Sequence, residues 1–418
     1  MARKMKDSGI EWIGEIPEGW ELIKAKYLFS PRNEKGNSTL ILLSPTQKYG
    51  VIPQSQLDGV VQVKESTDLQ AFKTIHIGDF VISLRSFQGG FEFSNYEGVC
   101  SPAYQVFHAT KDLSNDFFRY LFKSDGFISK INSLTVGIRE GKNIQYWDFS
   151  NMLLAVPPKE VQIRSAQYLN TQCTEIDTML SKTRSSIEEY KKLKQAVITQ
   201  AVTKGVRGER EMKDSGVEWI GEIPVDWTIQ RFARVAEVKS NLVSPDNYLE
   251  YPQISPENIE KDSGKLLLPC KTVGEVGIVS GNHLFYKGQI LYSKIRPKLN
   301  KVCIAPFDGL CSADMYPIET NNDTRYIMYC ILSNGFLQQV SMITENRVKM
   351  PKINQTELSK LLVAIPNYLA EQKEIADHLD AKCAEIDKLI AKKEQLVKEL
   401  ESYKKSLIYE VVTGKREV

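Results

Sequence analysis

The chain has 418 residues, 42% of them hydrophobic and 25% charged, with 54 Lys plus Arg against 52 Asp plus Glu for a net charge of +2. This describes a soluble globular protein of roughly two to four domains and excludes an overtly polycationic one, while still permitting the local basic patches that duplex binding needs. No apolar run is long enough to span a bilayer, and the opening MARKMKDSG lacks the apolar core of a signal peptide, so the expected compartment is the cytoplasm, with no membrane partner.

The first element is a frame, Met5 to Trp20, reading MKDSGIEWIGEIPEGW, and it returns at Met212 to Trp227 as MKDSGVEWIGEIPVDW, changed only at Ile10/Val217, Glu18/Val225 and Gly19/Asp226. The protein is a tandem duplication. After the first frame, Leu22 to Ala155 form an insert of mixed α/β character, with a short strand at Asp79 to Ser83 and helical stretches near Asn115 to Lys130. Two polar clusters stand out in it: Arg85, Ser86 and Gln88 after the strand, and Arg139, Lys142 and Asn143 near its end.

Pro157-Pro158 then open a long helix whose apolar residues, among them Leu169, Cys173, Ile176, Ile187 and Tyr190, step mostly by threes and fours. Such a stripe buries one narrow face against another helix. The helix is expected to run about 40 residues, roughly 60 Å, and to stop at Gly205. After the second frame, the insert Thr228 to Ala364 carries a matching strand at Gln289 to Ser293, helical stretches at Asp323 to Met342, and two corresponding clusters: Lys294, Arg296, Lys298, Asn300 and Lys301, then Asn346, Arg347 and Lys349. Pro366 precedes a second long helix with its stripe at Leu379, Ile386, Val397, Leu400 and Tyr403, ending at Gly414. Gln162 to Thr203 and Gln372 to Thr413 align without a gap, so each stripe offers the other a matching seam. The inserts share only faint landmarks, such as Gly98 to Ser101 against Gly309 to Ser312, and are expected to be one fold with different surface loops.

Catalytic chemistry is hard to find. There is no G-x-G-x-x-G or P-loop, and the one Pro-Pro sits at a helix start instead of in a methyltransferase's Asn/Asp-Pro-Pro-aromatic motif. His76, His108, His283 and His378 lack metal-ligand spacing and read as surface or packing residues. Glu237 and Lys239 match half of a nuclease motif, but the first repeat has Ser30-Pro31-Arg32 there, and three residues match easily by chance. Seven cysteines form no CxxC pair, and Cys173 and Cys383 hold equivalent apolar helix positions, as buried thiols do. The four polar clusters are the residue types that read DNA: Arg bridges guanine O6 and N7, Asn or Gln bridges adenine N6 and N7, and Lys holds phosphate. The bland alternative for each is a solvated loop face. At the level of the whole chain, the alternatives are a self-contained methyltransferase or nuclease, disfavoured by the missing motifs, and a coiled-coil scaffold.

The doubled frame DSG-(Ile/Val)-EWIGEIP, the Ala-(Val/Ile)-Pro approach to each long helix, Glu371-Gln372 ahead of EIDKLI, EIDTML in the first copy, and the closing Ala201-Val202-Thr203 and Val411-Val412-Thr413-Gly414 resemble the specificity subunit of a Type I restriction-modification system, over essentially the whole chain. That resemblance implies two α/β target recognition domains (1–157 and 206–366) joined by two conserved spacer helices (158–205 and 367–418) packed antiparallel. It implies a non-catalytic subunit that binds double-stranded DNA at a bipartite, gapped site. It further implies two modification subunits that methylate adenine with S-adenosylmethionine and two restriction subunits that use ATP and Mg, with no cofactor or metal held by this chain. One departure is Glu160-Val161-Gln162, where the second copy has an intact Glu371-Gln372.

Overall fold

The computed structural model describes residues 3–35, 39–57, 69–84, 86–134, 144–347 and 351–418. Each frame folds as a hairpin, Met5–Asp7 on Glu15–Pro17 and Met212–Asp214 on Glu222–Pro224, with the same register. Each insert is closed at its base by an antiparallel pair, Glu21–Lys24 with Leu153–Val156 and Trp227–Arg231 with Leu362–Pro366. Inside, both inserts build a four-stranded antiparallel sheet in one strand order. In the first this is Phe29–Arg32, Gln105–Ala109, Phe80–Ile82, Glu92–Phe93; in the second it is Glu237–Val238, Met315–Glu319, Ile290–Ser293, Val302–Ile304. The inserts are one fold, and the chain is an α/β protein of two mixed domains joined by long helices.

The same sheet carries unlike cores. The first packs Phe29, Phe80, Phe91, Phe107, Phe118, Phe122 and Phe149 around one another, whereas the second uses Tyr292, Tyr326, Ile290, Ile318, Ile331 and Leu332. Volume and patterning sustain a fold when identities change. The helical stretches each break into two helices, Asn115–Leu121 with Asp125–Ser133 and Thr324–Leu332 with Asn334–Thr344. The break falls at Ser124 and Ser333, extended residues at the N-caps of the second helices.

The long helices run Lys159–Lys204 and Leu369–Val412, 46 and 44 residues. Gly205 and Gly414 end them at φ +77° and +73°, and a side chain at Gly414 would collide with Pro17 and Trp20. Each start is locked by an equivalent glutamine: Gln162 accepts from Ser114 N at 2.8 Å and donates to Pro157 O, while Gln372 accepts from Asp323 N at 3.0 Å and donates to Pro366 O.

The chain forms two compact units, one of Met1–Thr183 with Gln395–Val418 and one of Arg184–Glu394. Each holds one frame, one insert and antiparallel portions of both long helices. In the first unit Leu169, Cys173, Ile176 and Leu180 share a core with Val397, Leu400, Leu407 and Val411. In the second, Ile198, Ala201 and Val202 share one with Ile375, Ala376, Leu379 and Cys383, and the Lys393 ammonium lies over the Tyr190 ring at 5.7 Å. Ile187 and Ile386 are buried as well.

The seam departs from the predicted stripe at one pair of equivalent positions. Tyr403 and its counterpart Leu193 are 46% and 48% exposed. Lys404 and Lys194 turn inward in their place, to Asp177 at 2.7 Å and Asp387 at 2.9 Å. All seven cysteines are free thiols, and burial pushes that of Cys383 up to about 11, far from a reactive thiolate.

One buried pair in the first unit has a pH signature. Glu92 and Lys123 meet at 2.7 Å, and burial raises the Glu92 carboxyl to about 7 against the pull of Lys123. A carboxyl raised on folding favours the folded state most below its unfolded value, and that contribution fades as pH rises through the folded one. Wild type is therefore expected to lose stability relative to Glu92→Gln between about pH 4.5 and about pH 7. Parallel melting curves for the two proteins over pH 4.5 to 8 count against this.

Candidate functional site

The first insert's strand Phe80–Ile82 delivers the chain to a short helix, Ser86–Gly89. Ser86 is buried there, its hydroxyl accepting from Ser83 N at 2.8 Å. It locks the turn and does not face solvent, which corrects its assignment as a DNA contact. Gln88 on the same helix is exposed. Arg85, Arg139, Lys142 and Asn143, with Lys349 of the second insert, lie outside the described residues.

The second insert's counterpart is a built turn. Arg296 and Asn300 are both left-handed, at φ +45° and +43°, and bracket the 3₁₀ turn Pro297–Leu299. A non-glycine residue in this region is strained and persists only when its surroundings hold it. Here Arg296 N donates to Pro351 O at 2.8 Å, Pro297 is buried, and Asn300 Nδ2 donates to Leu332 O at 3.3 Å. Asn300 is thus buried and structural. Lys301 is likewise engaged, donating to Pro256 O at 2.6 Å, and Lys294 lies over the Tyr316 ring at 5.3 Å. The turn leaves Arg296 and Lys298 exposed.

Arg347 is engaged within the second insert. Its guanidinium grips Glu357 through two hydrogen bonds, at 2.5 and 3.2 Å, and also donates to the Lys352 carbonyl. Chiefly through that hydrogen bonding, Arg347 holds the Glu357 carboxyl below its ordinary value. The carboxylate meanwhile caps Asn354 N at 3.0 Å. Arg347 fastens the loop after Thr344 to the helix Gln355–Lys360, while its neighbour Asn346 stays exposed.

A polar hollow of about 410 Å³ in the first insert was not anticipated. Pro31, Asn33, Lys73, Pro102, Gln105, Gln145 and Tyr146 line it. Gln105 donates to Gln145 Oε1 at 3.0 Å and accepts from Tyr146 N at 2.6 Å, which fixes both amides. These residues come from a strand and a loop 40 positions apart, so no local pattern announces them.

Glu237 and Lys239 pair with each other at 2.7 Å, and Lys239 also meets Glu319 at 3.4 Å. Among the described residues no group of three or more His, Cys, Asp or Glu is placed to hold a metal, and no helix is long and apolar enough to cross a membrane.

Comparison with known proteins agrees with this geometry. Residues 224–399 match the family model of the Type I restriction modification DNA specificity domain. The chain is 33% identical over 314 residues to the Type I restriction enzyme EcoDI specificity subunit of Escherichia coli, spanning 70% of this chain and 68% of that one. It is 24% identical to the putative type I restriction enzyme MjaX specificity subunit of Methanocaldococcus jannaschii, over 96% and 95%. Among solved structures, a chain from work on complex assembly and conformational transition of the type I R-M system shares the fold at TM-score 0.69 and 14% identity, over 96% and 99%. The HsdS subunit from Thermoanaerobacter tengcongensis does so at TM-score 0.52 and 15% identity, over 96% and 98%. With the duplicated frames, one insert fold used twice and a 33% identical relative covered over two thirds of its length, the chain belongs to the family of Type I restriction-modification specificity subunits and is not itself an enzyme.

Proposed function

We propose that this chain reads a bipartite, gapped site in double-stranded DNA, one half per insert, and that it holds two modification subunits and, in the full assembly, two restriction subunits. S-adenosylmethionine, ATP and Mg act in those partners, in the cytoplasm. The observation that carries the reading is one sheet order built twice, in near-identical frames, with dissimilar sequence between them. Equal scaffolds with unlike loops suit two half-sites of unlike sequence. The domains would be target readers at 1–157 and 206–366 with spacers at 158–205 and 367–418. Mapping methylated adenines in cells that carry the chain with its partners is expected to return one motif with two dissimilar halves and a fixed gap. A continuous motif, or two identical halves, would overturn the reading.

Within the second reader, Arg296 and Lys298 are the cations that the turn presents outward. Arg296→Ala in the assembled methyltransferase is expected to cost about 1–3 kcal/mol and to relax discrimination at one base position of one half-site. Lys298→Ala should instead weaken all sequences alike and flatten the salt dependence. Arg347→Ala, which frees the loop from Glu357, should lower stability with no base-specific change. Measured at two salt concentrations, wild-type affinity and discrimination in Arg296→Ala would make that arginine structural.

A further inference from the structure

The two frames differ in charge where each meets the start of a long helix. In the second unit Arg210 donates to Glu371 Oε1 at 2.5 Å and to Asp226 Oδ1 at 2.6 Å. Arg207 meets Glu374 at 2.8 Å and Glu371 Oε2 at 3.7 Å, and the Trp227 indole N–H donates to Glu371 Oε1 at 3.2 Å. Two arginines face three carboxylates, and the Glu371 side chain is 1% exposed.

The first unit has the same seat with the carboxylates removed. By the repeat, Arg3 stands for Arg210, Trp20 for Trp227, Gly19 for Asp226, Val161 for Glu371 and Arg164 for Glu374, while Arg416 follows Gly414 as Arg207 follows Gly205. Three arginines replace two, and all three acids are gone. Arg3, Trp20, Gly414 and Val161 do converge. Arg3 lies over the Trp20 ring at 5.9 Å, the Gly414 backbone abuts Trp20, and Val161 packs against the cluster that contains Trp20. Arg416 turns to Tyr403 through a side-chain hydrogen bond, with Tyr168 and Glu410 nearby. Among the described residues no ion pair engages Arg3 or Arg164, while Arg416 pairs with Glu410 at 3.4 Å and hydrogen-bonds Tyr403. The Trp20 indole N–H, on a residue 2% exposed, has no acceptor among the described residues, whereas its counterpart is satisfied by Glu371. A buried donor left unpaired is destabilising.

We infer that this seat docks carboxylate side chains of a protein partner, an acidic segment that supplies from outside what Glu371, Glu374 and Asp226 supply from within the second unit. The inference rests on reading the chain as the subunit that holds modification subunits. The built precedent in the same chain favours carboxylates over duplex phosphates. Two copies of one partner would then meet unlike seats, and the one at the first frame would be held by charge and be the more salt-sensitive.

Val161→Glu with Arg164→Glu rebuilds the second unit's carboxylates in the first. Wild type and this variant, each co-expressed with the modification subunit of its own system, are compared by native mass spectrometry at rising salt, with a thermal melt and a duplex-binding titration alongside. The expected result is two modification subunits on wild type and one on the variant, affinity for the second falling roughly tenfold or more as charge-assisted contacts are lost. Arg164→Ala, which adds no charge, is expected to show a smaller loss and serves if the double variant melts early. Two subunits held at wild-type affinity by both variants overturn the inference, as does loss of duplex affinity with assembly intact, which would make the patch a phosphate contact. If wild type itself holds no modification subunit, the reading of the partners falls and the inference with it.

Discussion

Exchange of residues 22–155 for the corresponding insert of a relative is expected to replace one half of the methylated site completely and leave the other untouched. The cut points fall in the paired strands Glu21–Lys24 and Leu153–Val156, which close the insert at its base, so the frame hairpin and the long helix stay intact. The graft must fill the core shared with Ile13, Ile16 and Trp20, which here takes Phe117 and Phe118, so a donor with aromatic residues at those two positions is the appropriate choice. The second insert keeps its own core around Tyr292 and Tyr326. Each wrong base pair costs about 1–3 kcal/mol, so a fully changed half-site should abolish methylation of the old sequence. Mapping methylated adenines decides the matter, and a change in both halves would sink the idea of independent readers.

Shortening both long helices is expected to change the gap between half-sites while leaving the half-sites as they are. Deleting 183–189 together with its repeat equivalent 393–399 removes two turns from each helix and retains Lys194 opposite Asp387 and Lys404 opposite Asp177. Seven residues amount to about 10 Å of helical rise, near three base pairs of a duplex at about 3.4 Å each. If the helices act as a ruler, the preferred gap should shorten by about that much. Deleting 183–189 alone leaves the other helix uncompensated and should abolish assembly. An unchanged gap with full activity in the paired deletion would show that something else positions the readers.

The duplication was legible because the frames are nearly identical, and the helices because apolar residues recurring at three and four have few other uses. The shared sheet order of the inserts was not. A phenylalanine-rich core and a tyrosine and isoleucine core share few letters, and only faint landmarks, the strands near Asp79 and Gln289 and the Gly98 and Gly309 segments, marked equivalent strands. The polar clusters were the weakest ground. A serine, asparagine or arginine in a loop looks the same whether it faces a base or ties down its own backbone, and Ser86, Asn300 and Arg347 do the latter. The hollow at Gln105 and Gln145 depends on a strand meeting a distant loop, information that no window of sequence contains.

The way the units close has a consequence for truncation. Arg184–Glu394 is one continuous stretch that carries everything its own core packs. The other unit is discontinuous, since Leu407 and Val411 complete its core against Leu169 and Ile176. A chain cut after residue 394 therefore keeps the one unit whole and leaves the Phe-rich one with a wall missing, the state in which exposed apolar surface recruits chaperones or aggregates. Such a chain should resist protease across 184–394 and be cut within 1–183. Only the segment 395–418 seals the open half.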